Sequence, residues 1–158
     1  MSIAQLKQRI MDNKPTELAH LYIDGDDQLR DRHIEAMFNT LFYGEEIDTE
    51  FRTNFSLYAK LLFGAEYLPP EEAFVEPSVA IGWISTSFGL CHVSGNVTGD
   101  TSGDPDLAHC THRARLRSRF DPDSDDAYGP SALHAALLSV VIVFRNLAAR
   151  WHEEQFGK

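Results

Sequence analysis

Apolar positions along this chain recur mostly at the 3.6-residue period of an α-helix, and near the middle they change to the two-residue period of a strand. Ile3, Leu6 and Ile10 share one helical face after a Ser2/Gln5 capping-box pattern, and Asn13-Lys14-Pro15 stops that first helix. A second short segment runs through Leu18, Leu21 and Tyr22 to the turn Asp24-Gly25-Asp26-Asp27. From Gln28 to Tyr43, Ile34, Met37, Phe38, Leu41 and Phe42 follow the i, i+3, i+4, i+7, i+8 spacing, with Gly44 placed to end the helix. Asp48 or Thr49 starts another helix, whose stripe is Phe51, Phe55, Tyr58 and Leu62, again closed by a glycine, Gly64. The short link between these two helices predicts an antiparallel pair. A long last helix opens at Gly129-Pro130-Ser131 and reaches about Gln155, with Leu133, Leu137, Val140, Val141, Phe144, Ala148 and Trp151 on its core face. Between Ala135 and Phe144 it is apolar nearly all round, which makes it the central helix.

The strand period belongs to the stretch Phe88 to Phe120. Cys110, His112, Ala114, Leu116, Ser118 and Phe120 alternate with Thr111, Arg113, Arg115, Arg117 and Arg119, giving one mixed inner face and one cationic outer face. Upstream, Pro77 interrupts a helix start at Pro70-Glu71-Glu72. Val79 to Ile84 is apolar on both faces and fits either a buried strand or a core helix; because Ser, Thr, Gly and β-branched residues dominate Val79 to Val93, a first strand is the favoured reading of that span. The Gly, Asp, Ser and Thr of Ser94 to Leu107 form the loop between the two, so a β-hairpin is the simplest topology. The fold expected is α+β: a mostly helical single domain, residues 1–158, with one β-hairpin or small antiparallel sheet packed on a long C-terminal helix.

Composition adds charge to this picture. At 158 residues roughly 70% of the unfolded chain's surface can be buried, so the core needs neither metal nor disulfide. The net charge is −10, and it is uneven: residues 1–90 carry seven Lys/Arg against fifteen Asp/Glu, residues 91–158 seven against nine. Such a balance disfavours nucleic acid and anionic membranes and favours a partner protein with a basic surface. With no signal-peptide pattern at the N-terminus and no apolar run of the ~20 residues a membrane span needs, the sequence reads as cytoplasmic. Cys91 and Cys110 are then expected to be thiols.

Four pieces of chemistry can be weighed against these elements. Cys91, Cys110 and His112, with His92 as an alternative to Cys91, could hold zinc if the hairpin sets Cys91 opposite Cys110, although the spacing is not that of a zinc finger. Either cysteine could be a nucleophile with His92, His109 or His112 as base, but adjacent strand residues diverge, and an inert core thiol is the plainer reading. Arg113, Arg115, Arg117 and Arg119 sit ~6.5 to 7 Å apart along one face, a pitch suited to a phosphate backbone or a row of carboxylates, unless the flanking aspartates consume them. Asp121, Asp123 and Asp125 begin like a calcium loop, but Asp126 and Ala132 stand where glycine and glutamate are needed. A phosphate loop at Gly95 to Gly103 lacks its lysine, and His20, His33, His134 and His152 have no partners at ligand spacing.

No catalytic set emerges from this pattern. The function expected is that of a small acidic binding protein that docks on a larger partner, as an inhibitor, immunity-like factor or regulator, and occludes a basic nucleic-acid-binding site. An edge-strand candidate bearing charges that could recognise another chain supports the same reading. The alternatives are a metal- or thiol-dependent enzyme built on Cys91, His92, Cys110 and His112, and phosphate or nucleic-acid contact through the arginine stripe.

Overall fold

The structure, a computed structural model, describes residues 27–95, 105–118 and 125–156. The expected helices near residues 3–22, together with Arg119, Asp121, Asp123 and the glycine loop 96–104, lie outside the described residues.

Helix α1 (Asp27–Phe42) and helix α2 (Thr49–Phe63) form where the apolar period placed them. Asp48 is the N-cap of α2 and accepts from the Phe51 amide at 2.9 Å, satisfying one of the donors that a helix start leaves over. Both glycine stops hold, since Gly44 has φ 71° and Gly64 has φ 115°, conformations that a side chain resists. The two helices run antiparallel, and the His33 ring meets Tyr58 edge-on, nine residues before the end of α1 and nine after the start of α2.

Helix α3 (Pro77–Ser87) replaces the first half of the strand expected from Val79 to Val93. The helix start expected at Pro70-Glu71-Glu72 forms a short 3-10 helix, Glu71–Phe74, that ends before Pro77, and Pro77 then begins a new helix, because its missing N–H falls where a helix has an unsatisfied donor anyway. The apolar residues on both faces deceived the pattern, since Ala80 and Ile84 are fully buried while Val79, Ile81 and Trp83 pack half-buried around them. Strand β1 (Gly89–Gly95) follows directly. The Cys91 amide donates to Ser85 Oγ at 3.2 Å and ties the strand to the helix before it.

Strands β2 (His112–Ser118) and β3 (Ala127–Gly129) complete a three-stranded antiparallel sheet in the order β1-β2-β3. The expected hairpin is therefore present, but the arginine strand is the middle strand of the sheet, not an edge. The third strand was hidden because three residues are too few to show an alternation. Helix α4 (Ala132–Phe156) packs on the inner face of the sheet, where Ala114, Leu116 and Ala127 join its side chains in the core. Every residue from Ala135 to Phe144 is buried. By length and composition Ala132–Ala149 could cross a bilayer, but 67% of that window is buried inside the protein, which accounts for its apolar character.

Candidate functional site: a cationic sheet face

The register decides which side chains can meet. Leu90 pairs with Arg117, Cys91 with Leu116, His92 with Arg115, Ser94 with Arg113 and Gly95 with His112. Cys91 therefore lies four residues along the ladder from His112, about 13 Å at ~3.3 Å per residue, and Cys110 lies before the strand, in the turn where its amide donates to the Leu107 carbonyl. Zinc ligands must converge to within a few ångströms, so this hairpin does not bring Cys91 together with Cys110 and His112, and His92 faces away on the outer side. Among the described residues no three His, Cys, Asp or Glu side chains form a metal-holding group. The reason is the length of the connection: it runs on through the turn Pro105–Leu107 as far as Thr111, which shifts the pairing by six residues from the one that would set Cys91 opposite Cys110.

Neither thiol is poised as a nucleophile. Cys91 is buried against α4, and burial pushes its pKa from 9.0 up to about 11, only partly offset by the neighbouring Ser139 hydroxyl. That hydroxyl already donates to the Ala136 carbonyl at 2.6 Å. Burial also pushes the Cys110 thiol up. Cys110 Sγ does lie 3.6 Å from Nε2 of His109, but the same nitrogen lies 2.8 Å from the Phe42 carbonyl oxygen. A carbonyl can only accept, so Nε2 carries the proton and cannot take one from the thiol. Both cysteines should resist a thiol reagent at pH 8 until the protein is denatured, when both should react; fast native labelling of either would contradict this burial. Because the folded Cys91 thiol holds its proton to higher pH than the unfolded one, its contribution to stability is complete below pH 9 and falls between pH 9 and about 11.

His109, weighed from the sequence only as a base for a cysteine, and His134, left without a role, fasten the end of α1 and the turn after it. His109 Nε2 donates to the Phe42 carbonyl, and its ring stacks on Tyr43 at 5.3 Å. His134 Nε2 donates to the Glu45 carbonyl at 3.0 Å, while its Nδ1 accepts from Ser131 Oγ at 2.6 Å. Ser131 in turn accepts from the His134 amide, so Ser131-x-x-His134 has capping-box spacing at the start of α4. That spacing was visible in the sequence; the two carbonyls of α1's end were not.

What the sheet does assemble is a cationic outer face. Ala114, Leu116 and Ser118 of β2 are buried, and Arg113, Arg115 and Arg117 point the other way, as the alternation predicted. They are flanked by Leu90, His92 and Ser94 on β1, and Arg113 by Tyr128 on β3. Among the described residues one carboxylate meets two of them: Asp126 Oδ2 lies 3.1 Å from Arg115 Nε and 4.0 Å from Arg113 Nε. The Arg115 side chain is still 58% exposed and Leu90 66%. No matching protein-family model, curated protein or solved structure is found for this chain.

Proposed function

We propose that this protein acts by binding, docking its acidic helical side onto a basic site of a larger partner protein and covering it. The observation that carries this reading is the surface between residues 43 and 88. Glu45, Glu46, Asp48, Glu50, Glu66, Glu71, Glu72 and Glu76 are all exposed there, against only two cationic residues, Arg52 and Lys60. Arg52 lies 3.6 Å from Glu71 at the surface. The remaining field is negative over a broad area, which steers a cationic groove toward it and disfavours anionic partners. Nuclease-type sites, whose function is to attract phosphate, have the matching sign.

The test uses the whole chain as bait in its native host's extract, at ~50 mM and ~300 mM salt, beside a variant carrying Glu45→Gln, Glu46→Gln, Glu72→Gln and Glu76→Gln. Asp48 is left intact because it caps α2. A discrete basic protein should be retained at low salt by the wild type, released at high salt, and lost from the variant. Retention of the same protein by both baits would refute the acidic surface as the contact, and recovery of none at low salt would refute the docking role.

A further inference from the structure

We propose that the outer face of the sheet is a second docking surface, and that it takes an extended acidic segment of a protein, with carboxylates on alternate residues. This rests on different residues from the acidic helical side and holds or fails apart from it.

Among the described residues no helix packs on this face, since α4 and the core lie on the other. Its cations are held in a fixed row: Arg113, Arg115 and Arg117 are carried by the middle strand, so their spacing is set by backbone hydrogen bonding to β1 and, at Arg113, to β3. Residues two apart on a strand repeat at ~6.5 to 7 Å, and so do the side chains of any extended peptide laid alongside. Carboxylates on alternate residues of such a peptide therefore meet successive guanidinium groups, each able to bind a carboxylate through paired N–H donors. The protein itself shows that the face seats a carboxylate. Asp126 sits between Arg113 and Arg115, reaching both through their Nε atoms. One residue pair further along, Arg117 lies opposite Leu90, whose exposed side chain offers apolar contact to an uncharged residue of the visiting segment.

A nucleic-acid strand fits less well. Single-strand binders combine cations with several aromatic platforms, and Tyr128 and His92 supply the only two rings among the described strand positions of this face. A polyanion would also have to approach a molecule of net charge −10. A short acidic peptide, carrying few charges, meets the three arginines without extending over the rest of the surface.

The experiment measures fluorescence anisotropy of labelled probes against the full-length protein at low salt. The probes are a peptide with aspartate at every second position, a peptide of the same composition with its aspartates contiguous, and an oligothymidylate of equal charge. The alternating peptide should bind about tenfold more tightly than the contiguous one, and Arg115→Ala with Arg117→Ala should weaken it by a further tenfold or more without moving the melting temperature. Asp126→Asn should strengthen it several-fold, because it vacates the seat between Arg113 and Arg115. Equal affinity for the two peptides, tighter binding of the oligothymidylate, or indifference to all three substitutions would each overturn the proposal.

Discussion

Phe144→Ala is expected to remove about 3 to 5 kcal/mol of stability, the range for deleting a buried aromatic ring from a close-packed core. Phe144 is fully buried in α4, and its ring lies 5.2 Å from Phe55, 6.0 Å from Tyr58 and 6.2 Å from Phe63, all three on α2. Those rings continue the cluster outward, Phe55 to Phe74 at 5.6 Å and Phe63 to Phe88 at 5.0 Å. Removing the ring at the junction leaves a cavity that three aromatic side chains on a different helix cannot collapse to fill. Urea unfolding should show the midpoint fall with the slope unchanged. A loss below ~1 kcal/mol would mean that α2 and α4 are not packed through this ring.

The second large effect comes from a residue with no side chain. Gly89 has φ 143°, a region open to glycine alone, and a Cβ placed there would collide with the carbonyl oxygen of Arg117. Gly89→Ala should therefore cost roughly 2 to 4 kcal/mol, from backbone strain together with forced separation of β1 from β2. Gly82 supplies the control. It lies exposed within α3, nothing stands within 4 Å of an added Cβ, and Gly82→Ala should gain about 0.5 to 1 kcal/mol from the lower flexibility of the unfolded chain. Opposite signs at two glycines seven residues apart are the result to look for in thermal or urea unfolding; equal effects would contradict the sharp turn from α3 into β1.

Which parts of this arrangement the sequence disclosed follows from how local the determinants are. The faces of α1 and α2, the Asp48 cap, the stops at Gly44 and Gly64 and the buried middle of α4 each depend on residues within a turn or two of one another. The arginine alternation on β2 was legible for the same reason, as one strand suffices to show it. Val79 to Ser87 was misread because a short helix, wedged against the core and carrying small and β-branched residues, loses the polar stripe that marks a helix; tertiary packing overrides propensity there. The cysteine question could not be answered locally at all. Whether Cys91 meets Cys110 or Leu116 depends on how many residues the connection uses before pairing begins, and a slip of that count is not encoded in the spacing of Cys91, Cys110 and His112. The fastening of α1's end by His109 and His134 is likewise a long-range contact between a ring and a carbonyl, which leaves little trace in composition.

The candidate surfaces divide in the same way. The acidity of the first half and the arginine row were both apparent as charge, but the structure adds what covers them: the carboxylates from Glu45 to Glu76 stand exposed, and Arg113 and Arg115 share Asp126. A molecule so arranged presents opposite signs on different elements, the helical hairpin with its following turns carrying one and the outer sheet face the other. Exposed ion pairs contribute little to stability, so neutralising either surface should leave the fold nearly unaffected and register in association alone.

The most direct measurement of the docking account is the salt dependence of the partner complex, followed by titration calorimetry with the purified pair. The wild type should lose about tenfold or more in affinity between ~50 mM and ~300 mM salt, while the Glu45→Gln/Glu46→Gln/Glu72→Gln/Glu76→Gln variant should bind weakly and with a much flatter salt response. Affinity and salt slope that are the same for both proteins would contradict it.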